Sequence, residues 1–192
     1  MTSSSNVMDA ETWHVPLRCN SMVIQEALKR METFKLNKND VPFIIQLFEN
    51  PKYKVLSGAV TLDSHDIIHV LLGRGLLPKD EAFVIGFTMG ASRVSAIQKR
   101  IFKFVSKFLY PDGYRFTAQD LNIFENGIRC AEIMDCVDIS KVDLTQYVSY
   151  TIENTRRELG IDVGLLETYY RIEKQKNKHS PECQRLTRGV RI

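Results

Sequence analysis

Within Ser64–Glu81, S-H-D-I-I-H-V-L-L-G-R-G-L-L-P-K-D-E, two of the chain's four histidines sit four residues apart with an aspartate between them. On a helix of 3.6 residues per turn, His65 and His69 fall about 40° apart and Asp66 about 100° from His65. All three fit one sector, and the i, i+4 spacing lets both imidazoles point at one ion. Glu81 opens the next helical pattern, and a turn between antiparallel helices folds it back over the first. Two nitrogens and one or two carboxylates around one point suit a borderline or hard divalent ion, zinc, iron, manganese or magnesium. A buried hydrogen-bond network without metal is the competing reading. It must leave Asp66 and Glu81 close together without a cation, which drives carboxylates toward neutrality.

Two lookalikes are weaker. The H-E-x-x-H helix of zinc peptidases uses its middle acid as general base, but Asp66 is one methylene shorter and no substrate-binding strand is evident. Phosphohydrolases with an adjacent His-Asp pair need a further upstream histidine, and His14 is the sole candidate.

These residues need helices to hold them, and the pattern is helical nearly throughout. The expected helices run from Met22 to Thr33, from Asn39 or Asp40 to Asn50, from Asp63 or Ser64 to Gly73 or Gly75, and from Pro78 to as far as Leu109. Three more follow: from Thr117 to about Cys136, from Asp143 to Leu159-Gly160, and onward from Asp162. Pro111-Asp112-Gly113 marks a stop. Ala82, Gly86 and Gly90 recur every four residues, a stripe that lets another backbone approach closely. The expected fold is an all-α, single-domain helical bundle of about seven helices. An irregular lead-in occupies 1–20, the helical domain 21–178, and a basic tail 179–192.

Bulk properties agree with an ordinary globular domain. The chain has 192 residues, 44% hydrophobic and 26% charged, and a domain of this size buries roughly 70% of its unfolded surface without needing disulfides. The net charge of +3 is too small to imply nucleic acid. It is uneven: Lys174–Arg191 holds six Lys/Arg and His179 against Glu182, which reads as a solvated tail or as attraction to an anionic membrane. Cys19, Cys130, Cys136 and Cys183 form no C-x-x-C pair, so reduced thiols in a cytoplasmic protein are expected. No secretory or mitochondrial leader is recognisable, and no apolar run is long enough to span a bilayer.

The pattern His65-Asp66-x-x-His69, eleven residues, then Glu81 resembles the signature of the Coq-four family of ubiquinone (coenzyme Q) biosynthesis proteins. H-D-I-I-H-V-L-L-G, the segment Asn126–Glu132 and the segment Arg156–Ile161 are also similar to that family, over roughly residues 40–165. The departures are Phe124-Glu125-Asn126, where the family often has Pro-Trp, and the missing mitochondrial leader, which suggests a bacterial relative. The resemblance implies an all-helical fold with His65, Asp66, His69 and Glu81 as metal ligands, zinc first. It implies binding of a prenyl lipid or prenylated aromatic, with Phe83, Phe87, Phe102 and Phe108 as walls and Arg74 facing a substrate carboxylate. The expected role is oxidative removal of the ring carboxylate from a prenylated hydroxybenzoate, by a metal-dependent decarboxylase. The alternative is a non-catalytic lipid-binding or scaffold protein with a structural metal. Expected partners are other proteins of a biosynthetic complex or a second copy in a homodimer, but no nucleic acid. The expected place is the cytoplasm, peripheral at the inner membrane surface.

Overall fold

The computed structural model describes residues 13–32, 60–112 and 115–187. The helix expected over 39–50 lies outside them. The described residues form eight α-helices and two short 3-10 turns: α1 (Ile24–Glu32), α2 (Leu62–Leu72), α3 (Pro78–Ala91), α4 (Ala96–Phe108), α5 (Ala118–Met134), α6 (Ile152–Leu159), α7 (Val163–Lys176) and α8 (Pro181–Arg185). The all-α bundle read from the sequence is what folds. An antiparallel bridge, Val23 with Thr151, ties the start of α1 to the start of α6.

Local chemistry explains most of the boundaries. Thr61 caps α2 by accepting the N–H of Ser64, and Gly73, at φ 67°, closes it in the left-handed region that favours glycine. Pro78 opens α3, with the Asp80 carboxylate accepting the N–H of Leu77. Thr117 and Asp120 form a reciprocal cap on α5, and Asp162 caps α7 through the N–H groups of Gly164 and Leu165.

Three expectations change. The long helix from Pro78 to Leu109 is two helices: the chain breaks at Ser92–Ser95, Arg93 takes a φ of 50°, and Ser95 starts α4 with a capping box closed by Gln98. Asp143 caps only the 3-10 turn Leu144–Tyr147, and α6 begins later, at the cap Thr151. Residues 179–187 are not a loose tail. Ser180 caps α8, and Cys183, Arg185 and Leu186 are buried. At the other end Trp13, Val15 and Leu17 belong to the hydrophobic core, so the lead-in from Trp13 onward is irregular but packed.

The small-residue stripe does what its spacing predicts. A Cβ on Gly86 would strike the Phe124 carbonyl, one on Gly90 would lie 2.5 Å from the Ile128 oxygen, and one on Gly127 would strike the Phe83 carbonyl. α3 and α5 therefore meet backbone to backbone. α4 lies along α5, with Phe102 stacked on Phe124 at 4.9 Å and Lys99 and Lys103 reaching Glu132 and Glu125.

Candidate metal centre

His65 and His69 project from one face of α2, one turn apart, toward Glu81 in the first turn of α3. The two Nε2 atoms are 3.0 Å apart; Glu81 straddles them, with Oε2 2.9 Å from His65 and Oε1 3.2 Å from His69. Among the described residues this is the group of three whose ligand atoms converge closely enough to hold a metal ion. Asp66, half-buried on the same helix, is not among those three atoms' owners. The resemblance made it a fourth ligand; the converging set has three.

The orientation of His69 is fixed from outside the triad. Its Nδ1 lies 2.6 Å from the carbonyl oxygen of Gly75. A carbonyl only accepts, so the proton sits on Nδ1, and in the neutral ring Nε2 turns a lone pair to the centre. This arrangement is the usual outer support of a metal-binding histidine. Gly75 is itself hemmed in: a Cβ there would strike the Arg185 guanidinium and the Trp13 carbonyl.

The donor set fits a cation. A neutral His69 would bring its Nε2 lone pair within 3.2 Å of a carboxylate oxygen, a contact that either an ion bound to both atoms or a proton on Nε2 turns from repulsion into attraction. Tetrahedral coordination at roughly 2.0–2.1 Å per bond separates adjacent ligands by roughly 3.3 Å, close to the 3.0 Å between the two nitrogens. Burial pushes the Glu81 carboxyl up, but the positive charge that His69 and then His65 carry when protonated outweighs it and holds the carboxyl well below the usual carboxylate range; a bound cation would act in the same direction. His69 is buried, whereas about a third of the Glu81 side chain is open to solvent. One flank of the centre therefore faces outward.

Beneath the triad lies a buried ionic cluster. Arg74 donates through both terminal nitrogens to Glu173, at 2.8 and 2.7 Å, and its guanidinium sits in the corner formed by Phe83 and Tyr170, 3.9 and 4.2 Å from the centroids of two rings that pack edge to face at 5.3 Å. Asp80 points away from Glu81, toward Arg185 and Arg74. Burial pushes its carboxyl up, against the pull of Arg185 and Arg74. Lys79 bridges Glu182 and Asp120 at 3.4 and 3.5 Å. Burying such charges is costly unless each is paired. Here the pairs tie α3 to α7 and α8.

The end of α2 is bound equally firmly. Arg156 donates to the carbonyls of Leu71 and Leu17 at 2.7 and 2.6 Å, and the Tyr170 hydroxyl donates to Leu72 at 2.6 Å. These side chains satisfy carbonyls that a helix end leaves open.

Two sets of expected site residues stand elsewhere. Arg74 is fully buried, and it faces protein carboxylates rather than a substrate's. Phe83, Phe87 and Phe102 are packed into the core, while Phe108 is 55% exposed. Phe102 and Phe108 are six residues apart on α4, which turns them to different faces, so the four do not form one wall.

No protein-family model, curated protein or solved structure matches this chain. Among the described residues no helix is long and apolar enough to cross a membrane.

Proposed function

We propose that His65, His69 and Glu81 hold a divalent metal ion, zinc first, and that the protein acts on a prenylated aromatic acid in the manner of the Coq-four family. The convergence of the three side chains carries this reading. A divalent ion held there supplies Lewis acidity toward a carboxylate or phenolate oxygen. The chain's own part is positional: Gly75 fixes the His69 tautomer, α2 sets the two imidazoles one turn apart, and the cap at Pro78 brings Glu81 opposite.

Two features favour chemistry over a purely structural ion. Structural zinc sites are closed by four protein ligands, whereas three leave a position open. The partial exposure of Glu81 puts that position on the solvent side. The non-catalytic scaffold reading needs a fourth protein ligand, for which Asp66 is the nearest candidate in sequence.

The experiment is elemental analysis of the purified protein beside a His65→Ala/His69→Ala variant. The wild type should carry close to one equivalent of metal and the variant almost none; equal content in both refutes the centre. Incubation of the metal-loaded protein with a prenylated hydroxybenzoate, followed by mass spectrometry, then asks for loss of the ring carboxylate. Intact substrate with a loaded centre would support the scaffold reading instead.

A further inference from the structure

The outer side of α4 bears an apolar ridge. Ile97, Ile101, Phe104 and Phe108 lie within about 60° of one another on the helical wheel, and all are exposed, Ile97 at 68% and Phe104 at 57%. Leu109, just past the helix, is half exposed as well. The core covers α4 only through Phe102, Val105 and Ser106, on the adjoining arc. The helix thus has two apolar faces, one packed and one facing water. Scattered single apolar residues on a surface are ordinary; four in one line over three turns are not scattered.

Charge says what covers them. Between Ser92 and Pro111 the chain has five Lys/Arg and no Asp or Glu. Lys99 and Lys103 turn back to Glu132 and Glu125 on α5, and Arg93 pairs with Asp135. Arg100 and Lys107 border the ridge and make no ion pair among the described residues. The Lys107 ammonium lies 5.2 Å from the centroid of the Phe108 ring, and the Phe104 and Phe108 rings are 5.2 Å apart. Long basic side chains beside aromatic and branched apolar ones allow a helix to sit in the headgroup layer, rings down and charges at the phosphates.

We propose that the Ile97–Phe108 ridge docks the protein on an anionic lipid bilayer, with α4 lying in the plane of the surface. The ridge is about 17 Å long at 1.5 Å per residue, and α4 is already seated on α5, so the ridge is convex and needs a yielding partner rather than a preformed groove. A second copy is the poorer occupant. Pairing two such ridges sets Arg100 and Lys107 of one copy beside the same cations of the other, with no acid on either helix to separate them. The inference is independent of the metal centre.

The test is co-flotation of the full chain with vesicles of phosphatidylcholine alone and of phosphatidylcholine mixed with phosphatidylglycerol. The protein should float with the anionic vesicles and much less with the neutral ones. Arg100→Gln and Lys107→Gln should each lower partitioning about fivefold, from the attraction of one cation near an anionic surface. Phe104→Ser/Phe108→Ser should lower it tenfold or more. Both side chains are exposed, so circular dichroism of the variants should match the wild type. His65→Ala/His69→Ala should float like the wild type, which separates this outcome from any failure of the metal reading. Absence of wild-type flotation, flotation unchanged by the aromatic substitutions, or a light-scattering dimer that those substitutions split would overturn the proposal.

Discussion

Exchanging Glu173 for glutamine keeps the side chain's shape and removes the charge that neutralises Arg74. Both partners are fully shielded from solvent, so water cannot replace the lost carboxylate. Removing one partner of a buried pair costs about 3–5 kcal/mol. Asp80, 3.9 Å from Arg74, offers partial compensation and places the effect near the lower end, about 3 kcal/mol. In a chain of this length each kcal/mol moves the midpoint by about 2–4 °C, so Glu173→Gln should melt about 6–12 °C below the wild type. Arg74→Met should cost a similar amount, because it leaves Glu173 with only the Cys183 thiol, at 3.2 Å. The double variant Arg74→Met/Glu173→Gln should recover about 2 kcal/mol or more of the summed loss, since residues in contact do not add. Urea titration followed by far-UV circular dichroism measures all three. A Glu173→Gln loss below about 1 kcal/mol, or single effects that simply add in the double variant, would refute the assignment of Arg74 to the core.

Gly86→Ala should destabilise the fold by about 1–3 kcal/mol despite the better helix propensity of alanine, because the new methyl meets the Phe124 backbone and not a flexible side chain; chemical denaturation of the pair checks it. Thiol titration at mild alkaline pH should find Cys19 reactive and the other three slow. Burial pushes the Cys130 and Cys183 thiols up to about 12 and Cys136 up to about 11, and the thiolate is the reactive form. All four should react at once in denaturant.

How much of this was legible in the sequence depended on whether a residue's type carried its own signal. His65, His69 and Glu81 could be grouped before any coordinates because the i, i+4 step and the Pro78 start leave little freedom in how α2 and α3 meet. The glycine stripe on α3 was readable for the same reason, since a missing side chain has one structural use at that spacing. Gly75 was not readable as a site residue, because its contribution is a carbonyl oxygen that every residue possesses. Arg74 misled: a charged residue after a helix end normally lies in water, and only its three-dimensional encounter with Glu173, 99 positions away, makes burial affordable. The break between α3 and α4 did have a local signature, Ser95 with Gln98 three residues on, but the unbroken helical periodicity around it was the stronger cue. Residues 179–187 looked like a tail because their basic composition resembles one, while the acid that holds Arg185 sits at Asp80.

That last pairing has a consequence for timing. Arg185 reaches Asp80 across 105 positions, and its guanidinium crowds the same Gly75 whose carbonyl aligns His69. During synthesis the two imidazoles and Glu81 emerge long before α8 does. Until Pro181–Arg185 leaves the ribosome, Asp80 lacks the nearer of its two guanidinium partners and the bend carrying Gly75 lacks its lid. The bend that orients His69 is therefore braced only after a segment more than a hundred positions further along the chain has been made, so the geometry of the triad cannot form from α2 and α3 alone.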